Sequence, residues 1–157
     1  MQLDPQAPVW LDVEAFERYL ADDERSSLEQ AVALYRGDLL EGLDDGWTIQ
    51  DRYRCQRLFA EALARLAVLH EAAGDHQAAL DTAQRLIEYD PLREDAHRAA
   101  MRACCRLGRR NAALEQYRRC RDVIAAELGV EPMTETIALY EAILSGDLDV
   151  AAISAPP

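Results

Sequence analysis

Lysine is absent from this sequence, and the seventeen basic residues are all arginine, against 29 acidic residues. The formal net charge of −12 leaves no broad basic face that could neutralise the phosphates of a nucleic acid duplex. No apolar run approaches the roughly 18 residues of a transmembrane helix, and the N-terminus lacks the basic and apolar regions of a secretory signal. We therefore expect a cytoplasmic protein with no membrane contact and no direct nucleic acid contact.

Cysteine and histidine are too scattered to predict a metal site. The four cysteines form no C-x-x-C pair, and the three histidines fall in three different predicted elements. Such cysteines are most often buried, although Cys104 and Cys120 lie on predicted paired helices, so that a redox switch is an open alternative. No nucleophile elbow, glycine-rich phosphate loop or Ser/His/Asp set occurs. We expect no catalytic residue, no metal and no cofactor, and hence a binding module rather than an enzyme.

What the sequence does contain is a repeat of helical hairpins. Alanine and leucine are abundant and valine and isoleucine are scarce, a balance that favours helices over strands. The stretch Gly74–Leu80 recurs as Gly108–Leu114, an offset of 34 residues. This is the period of a tetratricopeptide (TPR) hairpin, in which two antiparallel helices meet at a glycine turn and neighbouring hairpins stack. We therefore predict an all-α fold of about seven helices, stacked as TPR-like hairpins in a right-handed superhelix.

Start and stop signals place these helices. The predicted ranges are Val13–Ala21, Ser26 to about Gly37, about Ile49–Ala73, the segment between Asp75 and Asp90, Leu92–Leu107, about Asn111–Leu128 and about Met133–Leu144. The side chains expected to cap a helix N-terminus are those of Asp12, Ser26 with Glu29 in a capping box, Asp75, and Asp90 followed by Pro91. The glycines expected to end a helix are Gly74, Gly108 and Gly129.

The remaining segments complete the predicted domain organisation. Leu39–Trp47 is the longest irregular stretch, and we expect Trp47 to pin it to the helices by burying its ring. The last helix should cover the exposed end of the stack through Ile137, Tyr140 and Leu144, because repeat arrays need terminal caps. The helical domain is predicted to span residues 13–144. Residues 1–12 are expected to be a linker or the remnant of a missing N-terminal domain, and residues 145–157 a flexible C-terminal linker.

Several motifs resemble those of one known family. They are Leu34–Leu40, Asp90–Arg98, Leu107–Arg110, Ala113–Cys120 and Glu127–Pro132. With these residues the chain is similar to the bacterial transcriptional activator domain of SARP-type regulators. The resemblance implies an all-helical, TPR-like fold that usually follows a winged-helix DNA-binding domain. It also implies a regulatory role through self-association, contact with the transcription machinery or control of the neighbouring domain. Because this sequence contains no winged helix, DNA would be reached through that missing domain.

Arginines line one face of the predicted fifth helix. Arg98, Arg102 and Arg106 are spaced four residues apart, and the first two fall on positions that face the groove of a TPR array. A guanidinium fork suits an acidic peptide, a nucleotide or a phosphate. The alternative is that these arginines form ion pairs with the chain's own carboxylates, Glu61 and Glu71 on the preceding groove helix among them. These five residues are the candidate residues of a partner-binding groove.

The sequence leaves two hypotheses for function. The first is a regulatory protein-interaction domain of a bacterial transcriptional regulator. Its partner would be a neighbouring domain, the RNA polymerase machinery or a second copy in a homodimer. The alternative is a sensor domain that binds a small ligand, such as a nucleotide or acidic metabolite, in the arginine-lined concave groove.

Overall fold

The computed structural model describes residues 7–35 and 49–147, and these residues contain seven α-helices and no strand. The helices are α1 (Ala7–Leu20), α2 (Arg25–Leu34), α3 (Ile49–Ala72), α4 (His76–Tyr89), α5 (Glu94–Arg106), α6 (Arg110–Leu128) and α7 (Thr134–Ser145). None of them combines the length and the apolar character that a membrane span requires. The chain divides into two compact units, Met1–Leu66 and Ala67–Pro157, which are described separately below.

Three aromatic rings form the centre of the N-terminal unit. Tyr35, directly after α2, stacks on Phe59 of α3 with ring centroids 3.9 Å apart. The centroid of the Tyr35 ring also lies 5.6 Å from that of the Phe16 ring in α1. Leu28 of α2 is also fully buried in this unit. Burial of such large side chains contributes much of the stabilisation that helices gain from packing.

Small side chains let the helices of the C-terminal unit approach one another closely. α4 packs on α5, α5 on α6, and α6 on α7. The alanines buried at these contacts are Ala79 and Ala83 of α4, Ala99, Ala100 and Ala103 of α5, and Ala113 of α6. Met101, Leu114 and Tyr117 fill the space around them.

Two turns have the same geometry, one between α3 and α4 and one between α5 and α6. Gly74 and Gly108 have φ of +78° and +73°, a left-handed conformation that glycine adopts without a steric penalty. The amide of Asp75 donates to the carbonyl of His70 at 3.0 Å, and the amide of Arg109 donates to the carbonyl of Cys104 at 2.8 Å. Both are the long bond of a Schellman motif. The 34-residue repeat seen in the sequence is therefore a repeat of the backbone, and the TPR-like hairpin prediction is confirmed.

The start of α4 was predicted correctly, but two other helix starts were not. Asp75 caps α4 as expected, since its Oδ1 accepts from the amide of Ala78 at 3.1 Å. Asp12 lies inside α1, which begins at Ala7, and Pro8 fits there because the first turn needs no amide donor. α2 begins at Arg25, so Ser26 is already helical and no capping box with Glu29 forms. The segment predicted to be a linker over residues 1–12 thus includes the beginning of α1.

The Asp90–Pro91 prediction was also wrong in its detail. Instead of capping α5, Asp90 accepts from the amide of Leu92 through its Oδ1 at 3.2 Å, which folds the connection into a turn. α5 begins only at Glu94, after Arg93 in an extended conformation. Because the carboxylate of Asp90 accepts from the amide two residues later, it is not available to cap the first turn of α5.

The last helix covers the core with two of the three predicted residues, Ile137 and Tyr140, and with Ile143 in place of Leu144. Ile143 is fully buried, whereas its neighbour Leu144 is 46% exposed. Tyr140 meets the expectation, because its ring stacks on Tyr117 of α6 with centroids 3.9 Å apart. The predicted end of α2 near Gly37, the loop Leu39–Trp47 and most of the C-terminal linker over residues 145–157 lie outside the described residues.

Adjacent residues of α7 offer a direct measurement of this burial. We expect Ile143→Ala to lower the free energy of unfolding by about 2–5 kcal/mol, because it removes a fully buried side chain and leaves a cavity. Leu144→Ala is the matched control and should cost less than about 0.5 kcal/mol, as is usual for a surface position. Urea denaturation followed by circular dichroism measures both. Equal losses in the two variants would contradict this placement of α7.

Candidate functional site

α5 is buried on every side but one. Its partly exposed positions all lie along one line of the helix and are Asp95, Arg98, Arg102, Cys105 and Arg106. We call Arg98, Arg102 and Arg106 the arginine stripe. Their four-residue spacing places them on this one open side, as the helical period requires. Three of the five candidate residues from the sequence are thus brought together on one surface.

Arg102 is held by a carboxylate from α3. Its Nε donates to Glu71 Oε1 at 2.9 Å, and its Nη2 donates to Glu71 Oε2 at 3.2 Å. Both side chains are largely buried, with 20% and 17% of their surface exposed. Two parallel bonds between a guanidinium and a carboxylate fix orientation as well as distance. The ion-pairing interpretation therefore applies to this pair, and it leaves Arg102 rigidly placed on the stripe.

Arg98 is held from the opposite side by α7. Its Nη1 donates to the hydroxyl oxygen of Thr136 at 2.8 Å. That hydroxyl in turn donates to Glu94 Oε2 at 2.6 Å, and Thr136 is fully buried. Because Arg98 and Glu94 are charged, both hydrogen bonds of the Thr136 hydroxyl are stronger than bonds between neutral groups. The first turns of α5 and α7 are thereby joined through one hydroxyl group.

The other two candidate residues have different surroundings. Glu61 is exposed and belongs to the N-terminal unit, where its Oε1 lies 4.0 Å from Nε of Arg57, one turn earlier in α3. Arg106 is partly exposed in the last turn of α5. An exposed pair at the distance between Arg57 and Glu61 contributes little to stability. Of the two candidate glutamates, Glu71 is the one that binds an arginine of the stripe.

Charged side chains hold α7 at both ends. At its start, the carboxylate of Glu94 accepts from the amide of Met133 at 3.1 and 2.9 Å through its two oxygens. At its end, Arg110 donates from Nε to the carbonyl of Ile143 at 3.0 Å and from Nη2 to that of Leu144 at 2.8 Å. A negative group at a helix N-terminus and a positive group at its C-terminus both oppose the helix dipole. α5 and α6 therefore supply the two caps of α7.

A buried histidine continues this polar network into α6. His97 is 1% exposed, and its Nε2 lies 2.9 Å from the carbonyl oxygen of Pro91. Its Nδ1 lies 2.7 Å from Nε2 of Gln116. Because a carbonyl only accepts, the Nε2 of His97 must donate, and Nδ1 then accepts from the Gln116 amide. Burial lowers the pKa of His97 from its ordinary value of 6.5, against the opposing effects of the Pro91 bond and the nearby carboxylates.

Three of the four cysteines in the described residues have thiols that are not activated. All four are free. Burial raises the pKa of Cys104 and of Cys105, and it raises the pKa of Cys120 to about 11. The thiolate is the reactive form of cysteine, so these three side chains are poor nucleophiles. Across residues 7–35 and 49–147, no three His, Cys, Asp or Glu side chains converge as a metal site.

A comparison with known families identifies the domain. The sequence profile described as the bacterial transcriptional activator domain matches residues 11–144 of this chain. The chain belongs to this family. Domains of this family occur in SARP-type transcriptional regulators, and the resemblance inferred from the motifs is confirmed. The family is a transcriptional regulator domain, which is not a class of enzyme.

Two bacterial regulators are similar in sequence to this activator domain. Regulatory protein DnrI of Streptomyces peucetius is 34% identical over 155 residues, which cover 89% of this chain and 56% of DnrI. Regulatory protein AfsR of Streptomyces coelicolor is 30% identical over 131 residues, which cover 83% of this chain and 13% of AfsR. The chain therefore spans about half the length of the first relative and a much smaller part of the second.

Two solved structures share the fold of the activator domain. EmbR of Mycobacterium tuberculosis, solved in complex with a low affinity phosphopeptide, has a TM-score of 0.67 at 24% identity and covers 93% of this chain. The match takes in 40% of the EmbR chain. The C-terminal TPR-containing domain of an FK506-binding protein from Plasmodium falciparum has a TM-score of 0.54 at 14% identity over 96% of this chain. At such low identities these matches concern the fold, and they agree with the TPR-like arrangement.

The Thr136 hydroxyl can be tested by two substitutions of similar size. We expect Thr136→Val to lower the free energy of unfolding by about 1–3 kcal/mol, because Glu94 loses a donor and Arg98 loses an acceptor inside the protein. Thr136→Ser keeps the hydroxyl and should lose roughly 0.8 kcal/mol for the missing methyl group. Chemical denaturation measures both values. A Val variant no less stable than the Ser variant would rule out a stabilising role for these bonds.

The neutral state of His97 makes stability depend on pH. Its folded pKa lies below 6.5, so in mild acid the unfolded chain binds a proton that the folded chain does not. The stability contributed by neutral His97 is therefore complete above pH 6.5 and is lost as the pH falls below this value. The slope is at most about 1.4 kcal/mol per pH unit, because one proton is involved. Urea denaturation at pH 7.5, 6.5 and 5.5 measures this effect, and His97→Gln should flatten the dependence.

Proposed function

We propose that this activator domain is a protein-interaction module, and that the arginine stripe binds an acidic segment of the partner. The observation that carries the proposal is the placement of Arg98 and Arg102 on the one open side of α5. Both guanidinium groups are held in position by neighbouring helices, through Thr136 and Glu71. Because Arg102 keeps its two bonds to Glu71 when a partner binds its other donors, it costs less conformational entropy on binding than a mobile side chain does.

The stripe keeps donors for a partner. A guanidinium has five N–H donors, of which Arg98 uses one for Thr136 and Arg102 uses two for Glu71. The remaining donors can bind carboxylates that lie in register with the four-residue spacing of the helix. Although the chain carries a net charge of −12, the stripe brings three arginines together on one side of α5. Local attraction of this kind determines which surface of a partner is bound and in which orientation.

Three partners fit this chemistry within a transcriptional regulator. They are a second copy of the chain, which offers 29 acidic residues, a neighbouring winged-helix domain, and the RNA polymerase machinery. DNA would be bound by the winged-helix domain rather than by this acidic segment. A regulator that acts through these contacts works in the cytoplasm, where bacterial transcription takes place.

A small anion at the same stripe is a weaker explanation of the geometry. The fork of Arg102 already binds both oxygens of Glu71, so a nucleotide or acidic metabolite would have to displace that carboxylate to be bound in the same way. A protein segment can reach the outward donors of several arginines at once and can leave this pair intact. We therefore propose that the stripe binds an extended acidic segment of a protein rather than a small anion.

A reporter assay can test this function directly. The chain is fused to a DNA-binding domain that binds as a monomer, with its site upstream of a weak bacterial promoter. We expect the fusion to raise transcription above the DNA-binding domain alone. Arg98→Gln/Arg102→Gln should remove most of this increase, by about tenfold or more, because it deletes two placed charges from the interface. Sedimentation velocity of the isolated chain measures self-association in parallel.

The matched control changes the same number of charges elsewhere. Arg118→Gln/Arg119→Gln removes two exposed arginines from α6 and should leave reporter activity near that of the unchanged fusion. Circular dichroism and thermal melts of both double variants exclude loss of folding. Equal activity of the stripe variant and the control variant would argue against the stripe as the binding surface.

A further inference from the structure

We infer that Arg98 couples the arginine stripe to α7, so that an acidic partner bound at the stripe loosens the first turn of α7. This inference rests on the proposed function, since it requires that the stripe binds an anion. It is carried by a single guanidinium with two roles. Arg98 lies on the open side of α5, and its Nη1 also donates to Thr136 in the first turn of α7.

The buried carboxylate of Glu94 is the link between the two helices. Glu94 accepts from the amide of Met133 and from the Thr136 hydroxyl, and it is thereby the N-terminal cap of α7. The hydroxyl of Thr136 lies between the guanidinium of Arg98 and this carboxylate, because it accepts from Arg98 and donates to Glu94. The neighbouring cation Arg93 is engaged with Asp95, through bonds of 3.1 and 2.7 Å. The cap of α7 is thus supported by the same cation that a partner would bind.

The sign of the coupling follows from the charges. A partner carboxylate on Arg98 draws the guanidinium outward, away from Thr136. It also places a second negative charge close to the buried, negatively charged carboxylate of Glu94. Both effects are larger in a partly buried site than in water, because the local dielectric constant is lower. Each of them weakens the hold of Glu94 on the amide of Met133.

The loosening should stay local. The far end of α7 is held separately by Arg110, whose guanidinium donates to the carbonyls of Ile143 and Leu144, and by the burial of Ile143. Tyr140 stacks on Tyr117 between these two ends. Occupation of the stripe should therefore free the first turn of α7 and change the surface that it covers, without unfolding the helix.

Hydrogen exchange with a defined probe tests the coupling. The probe is a hexaglutamate peptide, added to the full chain at saturating concentration. We expect the amides of the first turn of α7 to exchange about fivefold faster with the peptide than without it, while α4 is unchanged. Coupling free energies are reciprocal, so Thr136→Val, which releases Arg98, should bind hexaglutamate about fivefold more tightly in a fluorescence anisotropy titration. Thr136→Ser, which keeps the hydroxyl, should bind like the unchanged chain.

The controls separate failure of the coupling from failure of the proposed function. Binding that survives Arg98→Gln/Arg102→Gln, or no binding at all, overturns the stripe as an acidic-partner site and the coupling with it. Binding that depends on the stripe, but leaves α7 exchange and the Thr136→Val affinity unchanged, overturns the coupling alone. Slower exchange of α7 would reverse the sign and also overturn it. The variant Arg118→Gln/Arg119→Gln should behave like the unchanged chain in both measurements.

Discussion

The buried carboxylate of Glu94 is the interaction on which the end of the C-terminal unit depends. A carboxylate with only 9% of its residue surface exposed is costly unless hydrogen bonds and charge compensate it. Here the Met133 amide, the Thr136 hydroxyl and, beyond it, Arg98 provide that compensation. Removal of any one of these groups leaves the rest only partly satisfied, which is why α7 and the arginine stripe cannot be considered independently. The arginine stripe, through Arg98, therefore also helps to determine where α7 lies.

Close helix packing gives this network its fixed geometry. Buried alanines bring α4, α5 and α6 together, and two Schellman turns set the same reversal of direction after α3 and after α5. A helix that approaches its neighbours this closely has few alternative positions, since the interior is packed at nearly the density of a crystal. The polar groups of α5 and α7 are therefore already placed at hydrogen-bonding distance by the packing of the helices.

The sequence predicted those features whose signals lie within a few residues. Gly74, Gly108 and Asp75 each act on the adjacent turn, and the structure agrees with all three. Local competition explains the errors, because Asp90 serves a turn rather than a helix, and Ser26 follows a helix start. The links of α7 to Glu94 and Arg110 join residues more than 30 positions apart. No local spacing marks them, although Glu94 belongs to one of the family motifs. The spacing of the arginines predicted a shared face, but not which carboxylate would hold each one.

The position of Arg110 has a consequence for how this family can vary in length. Arg110 begins α6 only two residues after Gly108, and it must reach the last carbonyls of α7. One inserted residue between Arg110 and Ala113, the first buried residue of α6, would rotate the guanidinium about 100° relative to the buried side of the helix and away from those carbonyls. Surface turns usually tolerate insertions. The turn at Gly108 should therefore tolerate one, whereas the first turn of α6 should not, and a homologue with an insertion there would need a different C-terminal cap for its last helix.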